Sequence, residues 1–131
     1  ALRVFRAIAF QHGVIYMQEF VPHGPYDVRA FVVGREVVAA MRRVSESSWK
    51  KNIARGARPE PHELTPELAE LAVRAAEAVK CEVAGVDILP GPEGPVITEV
   101  NSQPGWRGLQ SVSKSDIAMR IASYVLSRAR A

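Results

Sequence analysis

Val83-Ala84-Gly85-Val86-Asp87-Ile88-Leu89, Pro90-Gly91-Pro92-Glu93-Gly94-Pro95 and Val96-Ile97-Thr98-Glu99-Val100-Asn101 run consecutively, and their reading decides the fold. The outer runs are rich in β-branched residues, while the centre is dense in proline and glycine and favours turning. The stretch therefore predicts a β-hairpin. With a turn centred near residue 93, Asp87 and Glu99 are cross-strand partners, their Cβ atoms roughly 5 Å apart and their like charges repelling. Strand side chains alternate faces, so Asn101 shares the face of Glu99 and adds a carbonyl oxygen. Two readings fit this set. One is a solvated acidic face on an ordinary hairpin. The other is a site for a hard divalent cation, which takes oxygen ligands and completes its shell with water and substrate phosphates. Because two opposed carboxylates repel without a cation, Asp87→Asn is expected to leave the metal-free protein as stable as the parent or slightly more so, by up to about 1 kcal/mol.

Upstream of the hairpin, Thr65 is placed to cap a helix and Pro66 to occupy its first position, where a missing N–H costs nothing. Leu68, Leu71, Ala72, Ala75 and Val79 recur at helical spacing, which predicts an amphipathic helix to about Lys80. Before it, residues 44–62 are polar, basic and proline-bearing and read as a long loop. Residues 27–33 and 36–43 flank Gly34-Arg35, a hairpin signal in which Gly at the first central position suits a type II′ turn. Residues 14–20 read as another strand, and residues 2–11 as a short helix ended by Gly13. After the acidic hairpin come a loop with two glycines around Trp106 and a last helix over about 115–128. That helix is expected to bury Ile117, Ala118, Ile121, Ala122, Val125 and Leu126. Antiparallel strands with helices on one side make an α+β sandwich.

At 131 residues and 47% hydrophobic content the chain is one domain or one lobe of a larger one. No apolar run is long enough to span a bilayer, and the first residues lack a signal-peptide core. The lone Cys81 excludes an internal disulfide framework and fits a reducing compartment. His12, His23 and His62 have no zinc-like spacing. The formal charge of +3 is unevenly placed. Arg42, Arg43, Lys50, Lys51, Arg55 and Arg58 face only one acid, Glu46, in the same stretch. Such a run suits a polyanion, from a nucleoside triphosphate to RNA, or forms a solvated face.

Several motifs occur in order. They are Gln18-Glu19-Phe20-Val21, Asp27-Val28-Arg29, the run from Val33-Gly34-Arg35 to Met41-Arg42-Arg43, Asn52-Ile53-Ala54-Arg55-Gly56, Ala84-Gly85-Val86-Asp87, and Glu99-Val100-Asn101-Ser102-Gln103-Pro104-Gly105. Together they resemble the ATP-grasp ligases of the RimK type, which join glutamate-like amino acids to a carboxylate acceptor. Asn-Ile-Ala-Arg-Gly together with Pro104-Gly105-Trp106-Arg107-Gly108 narrows the resemblance to this subgroup. The resemblance implies the C-terminal lobe of an ATP-grasp fold. It implies that Asp87, Glu99 and Asn101 hold two Mg²⁺ or Mn²⁺ ions, Glu99 bridging them. Gln18 and Glu19 would meet the adenine edge by their backbone, Phe20 and Val21 would wall the base, and Asp27 would accept from the ribose hydroxyls. Lys50, Lys51 and Asn52 fall where the family contacts nucleotide, and Arg43 and Arg55 where it steadies phosphate and acyl phosphate.

The implied chemistry is attack of an acceptor carboxylate on the γ-phosphate, giving an acyl phosphate that an amine opens to an amide. It needs charge neutralisation and alignment, not a protein nucleophile. Residues 1–131 are expected to be a partial domain, without the upstream lysines and glycine-rich flap, and inactive alone. The full protein is expected to be a cytoplasmic homo-oligomer using ATP, glutamate or a similar amino acid, and a carboxylate acceptor. A protein tail, a pterin or flavin cofactor and a small amino acid all remain open as acceptors. Trp106 and Arg107 are expected to meet a substrate, with an indole packed on the sheet and a solvated guanidinium as the alternative. Two other functions also remain open: a phosphate- or RNA-binding module using the basic loop, and an assembly domain that kept the fold without catalysis.

Overall fold

The structure, a computed structural model, describes residues 2–45 and 56–129. Helix α1 (Leu2–Phe10) is followed by strands β1 (Tyr26–Val33) and β2 (Glu36–Val44), then β3 (Arg58–Pro61) and helix α2 (Pro66–Ala78). Strands β4 (Val83–Gly91) and β5 (Gly94–Asn101) and helices α3 (Arg107–Gln110) and α4 (Ile117–Ala129) complete it. The strands form one antiparallel sheet in the order β3-β2-β1-β4-β5.

The α+β class is as expected, and the helices cover both faces of the sheet, not one. In β1 every residue but Tyr26 and Arg29 is buried, as are residues 84–88 of β4. Strands buried on both faces need cover on both. Val28, Ala30, Val32, Val86 and Ile88 pack against Ala72 and Ala76, whose small side chains, one helical turn apart, let α2 lie close to the sheet. On the opposite face Phe31, Val33 and Met41 pack against Leu109 of α3 and Ile117 of α4.

The acidic hairpin forms, with a detail that its sequence does not disclose. Gly91 pairs with Gly94 and Ile88 with Ile97, so the turn is centred between Pro92 and Glu93. The register then shifts between Asp87 and Ile88. Thr98 is the extra residue of this bulge, and its hydroxyl donates to the Asp87 carbonyl at 3.3 Å. The bulge restores Asp87↔Glu99, the pairing expected from a turn half a residue further on. In the first hairpin Gly34 has φ of 62° while Arg35 stays out of the left-handed region, as a type II′ turn requires. The Thr65 hydroxyl accepts from the Leu68 N–H at 3.4 Å and caps α2, which ends at Ala78, two residues short of the expected end.

Three expectations are corrected. Residues 14–20 form no strand; Val14 is 94% and Tyr16 83% exposed. Their β-rich composition meets no partner strand, and strand preference is mostly preference for packing on neighbours. Within the expected loop, β3 pairs with β2 through Met41↔Pro61, Arg42↔Glu60, Arg43↔Pro59 and Val44↔Arg58. Its two prolines suggest a loop, but an edge strand tolerates them because one side of its backbone needs no partner. In α4 Ile117 is buried and Ile121 and Tyr124 join the same cluster, whereas Val125 and Leu126 are exposed and so are Ala118 and Ala122. The face used is the narrower stripe at i, i+4 and i+7.

Candidate active site

Alternation along β1 puts Asp27, Arg29 and Phe31 on one sheet face, the face that α3 and α4 cover elsewhere. Register then adds neighbours. Asp27 pairs with Arg43 on β2, Arg29 with Asp87 on β4, Asp87 with Glu99 on β5, and Gly85 with Asn101. Four of these side chains are joined. Arg43 donates from Nε and Nη2 to the two oxygens of Asp27 at 2.7 and 2.6 Å, and from Nη2 to Asp87 Oδ2 at 2.8 Å. Arg29 donates from Nε and Nη2 to the two oxygens of Asp87 at 2.7 and 2.8 Å. Asp27, Arg43 and Asp87 are buried.

Burial pushes the Asp27 carboxyl above its ordinary value, while the Arg43 hydrogen bond and charge pull it down. Burial also works against the Arg43 charge, but its hydrogen bonds and attraction to Asp27 and Asp87 outweigh this and hold the guanidinium above its ordinary value. The two directions favour different forms of one pair, and the geometry decides for the ionised one. Both Asp27 oxygens accept from a guanidinium that does not lose its proton in proteins.

A cavity of about 500 Å³ opens over this network. Its sheet side is Arg29, Met41 and Arg43, and its other side is Trp106 and Arg107 with the glycines that flank them. The loop of residues 102–106 is set by close packing, since a side chain at Gly85 would stand 2.8 Å from Pro104 Cβ. Trp106 meets Phe31 edge-on, ring centroids 6.1 Å apart and planes at 80°. The indole thus packs on the sheet and also lines the cavity.

The structure therefore brings together Asp27, Arg43, Asp87, Glu99, Asn101, Trp106 and Arg107, and it adds Arg29, to which sequence reasoning gave no role. The signal was present: an arginine two residues after Asp27, inside an apolar strand, is buried only if paired. Asp27 is held by Arg43 through both oxygens, and two of its about four lone-pair sites stay open for the ribose hydroxyls that the resemblance implies. Gln18, Glu19, Phe20 and Val21 do not line the cavity. Gln18 Oε1 accepts from Tyr16, Phe20 tilts against His23, and Val21 lies over the β4–β5 turn at Gly91. Lys50, Lys51, Asn52 and Arg55 lie outside the described residues.

Among the described residues no three His, Cys, Asp or Glu side chains gather around one point. The candidate cation set is two carboxylates and an amide. Asp87 accepts three N–H groups, leaving one of about four lone-pair sites. Glu99 is exposed and its carboxylate meets no partner among the described residues; Asn101 Oδ1 accepts from the Gln103 N–H at 2.8 Å, with a second lone pair free. An all-oxygen set of this kind fits Mg²⁺ or Mn²⁺ and not a thiolate-seeking metal.

The sequence matches the RimK-like ATP-grasp domain over residues 4–125. A tetrahydromethanopterin:alpha-L-glutamate ligase of Methanococcus maripaludis is 44% identical over 133 positions, covering 99% of this chain and 44% of that protein. A probable alpha-L-glutamate ligase of Thioalkalivibrio sulfidiphilus is 46% identical over 118 positions, covering 88% of this chain and 39% of that one. The chain thus spans less than half the length of these relatives. Among solved structures, the ATP-grasp ligase PsnB complexed with minimal precursor, Mg and ADP superposes with a TM-score of 0.69 at 26% identity, over 87% of this chain and 35% of that one. Family match, identity and fold agree, and the chain belongs to the RimK-like ATP-grasp family.

Proposed function

We propose that the protein containing this chain is an ATP-dependent carboxylate–amine ligase that adds glutamate or a similar amino acid to a carboxylate acceptor through an acyl phosphate. The observation that supports this best is the network of Asp27, Arg43, Asp87 and Arg29, whose two guanidinium groups line a cavity and whose Asp87 has Glu99 as its partner on β5. Each guanidinium has five N–H donors. Three on Arg43 and two on Arg29 are used by the carboxylates, so the two N–H of Nη1 on each remain for a ligand. Fixed donors of this kind, aimed where charge concentrates, stabilise phosphoryl and acyl-phosphate oxygens without reorganising. Asp87, Glu99 and Asn101 are the donors for two Mg²⁺ or Mn²⁺ ions, which neutralise phosphate oxygens when bound. Arg43 and Arg29 align the acceptor carboxylate with the γ-phosphate, and Met41 and Trp106 give the cavity an apolar lining beside them. The glutamate ligases named above support glutamate as the amine. PsnB complexed with a precursor peptide and the pterin named for the Methanococcus protein support a peptide or a cofactor tail as acceptor. The single free cysteine, Cys81, supports a cytoplasmic setting.

The test uses the full-length protein with ATP, Mg²⁺, glutamate and an acceptor panel of a glutamate-ended peptide and a carboxylate-tailed pterin. One acceptor, its carboxylate labelled with ¹⁸O, is expected to give amide, ADP and ¹⁸O-phosphate. Arg43→Met should lower this at least a hundredfold in a protein that still folds. Release of AMP and pyrophosphate instead would mean an acyl adenylate and refute the reading.

A further inference from the structure

Of the three guanidinium groups that line the cavity among the described residues, two are already balanced. Arg43 is held by Asp27 and Asp87, and Arg29 by Asp87. Arg107 is exposed and its side chain makes no ion pair or hydrogen bond with the described residues, and no carboxylate lines the cavity among them. The wall formed by residues 105–108 therefore presents one uncompensated positive charge.

Its position is fixed by its surroundings. Trp106, next to it, is set against the fully buried Phe31; Leu109, two residues on, is fully buried; and the Gln110 N–H donates to the Trp106 carbonyl at 2.7 Å. Pro104 rests over Gly85, and a Cβ at Gly105 would meet nothing within 4 Å, so the space in front of the loop is open. A guanidinium on a rigid base beside an apolar ring suits a carboxylate with a short aliphatic stem.

We propose that Arg107 binds one of the two carboxylates of the incoming glutamate, both of which stay intact in the reaction, with the indole of Trp106 beside its methylene groups. This rests on the ligase reading above. The carboxylate that becomes an acyl phosphate belongs with Arg29 and Arg43, on the sheet. A carboxylate that stays intact needs a separate cation, and Arg107 stands across the cavity. An acceptor larger than the cavity has surface beyond it by which to be held, whereas an amino acid is met inside or not at all.

The test is steady-state kinetics of the full-length protein with ATP, Mg²⁺ and the acceptor found above, comparing the parent with Arg107→Ala and Arg107→Lys. Arg107→Ala should raise the KM for glutamate about tenfold or more, the worth of a charge-assisted contact, with the KM values for ATP and acceptor within twofold. Arg107→Lys should fall between. The same comparison with glutamine and with glutamate α-amide locates the contact. The one lacking the bound carboxylate should be used equally by parent and Arg107→Ala, while the other shows the glutamate loss. A glutamate KM that does not move, a rise confined to ATP or to acceptor, or equal losses for both amides would overturn the proposal. If the parent itself shows no glutamate-dependent ADP release, the ligase reading fails and takes this inference with it; a working parent with an unmoved glutamate KM overturns this inference alone.

Discussion

Asp87→Asn is the most informative single change, because it keeps the shape of the side chain and removes one negative charge from a set of two guanidinium groups and two carboxylates in which all but Arg29 are buried. Asp87 accepts from Arg29 twice and from Arg43 once, at 2.7–2.8 Å, and its side chain is 7% exposed. Asparagine offers one acceptor oxygen and turns an N–H₂ toward a donor. Breaking a buried ion pair by removing one partner costs about 3–5 kcal/mol. Arg29, 14% exposed, recovers part of this from water. Loss of the repulsion from Glu99 returns up to about 1 kcal/mol. The expected net loss is about 2–4 kcal/mol, read without divalent cation as a lower urea midpoint at unchanged slope. Mg²⁺ should raise the midpoint of the parent and not that of the variant. A metal-free midpoint equal to or above the parent's would refute the reasoning, since it would show that the repulsion inferred from the sequence, and not the two arginines, dominates at Asp87.

Two further changes probe the scaffold. Gly34→Ala should destabilise by at least about 1–2 kcal/mol, the cost of a left-handed backbone, plus a clash, since its Cβ would stand 2.6 Å from Tyr124 Cε2; in a Tyr124→Ala background the urea midpoint should fall less, and equal losses would exclude the clash. His62, half-buried, is held below its ordinary value of 6.5 by burial and then by the Arg42 charge. The unfolded chain therefore binds more protons than the folded one just below pH 6.5, and stability should fall as the pH drops through that range. His62→Gln should flatten that part of the stability–pH curve, and an unchanged curve would exclude His62 as its source.

The features readable in the sequence are those written in local periods. Thr65-Pro66 announces the start of α2, Gly34-Arg35 its turn, and the alternation around Asp87 and Glu99 their shared face. The Thr98 bulge was hidden, because one extra residue in a strand leaves no compositional mark. The pairing expected at Asp87 survived only because the turn lay half a residue earlier and the bulge made up the difference. Contacts that cross the sheet were hidden for another reason. Arg43 reaches Asp27 across 16 residues and Asp87 across 44, and Arg29 reaches Asp87 across 58, so their meeting depends on β1 lying between β2 and β4. Sequence gives the strands but not that order. Trp106 shows the limit from another side, since packing on the sheet and lining a cavity are alternatives in a sequence and are both true of the folded residue.

The arginine–aspartate network also separates stability from function. Removing one member leaves a buried charge unbalanced and is costly, yet replacing a whole buried ionic set by apolar residues of similar volume is often neutral or stabilising. Holding the fold together is thus not a task that by itself calls for arginine and aspartate at positions 27, 29, 43 and 87. What apolar residues could not do is present N–H groups, fixed by carboxylates on their far edges, to a cavity whose opposite wall carries a further guanidinium. The network is net neutral until a ligand arrives, so an anion entering the cavity meets oriented donors without a large standing field having to be maintained in its absence. The placement of the two guanidinium groups at the cavity, and not within the apolar layer against α2, is the physical reason to propose a ligand-binding role for the network.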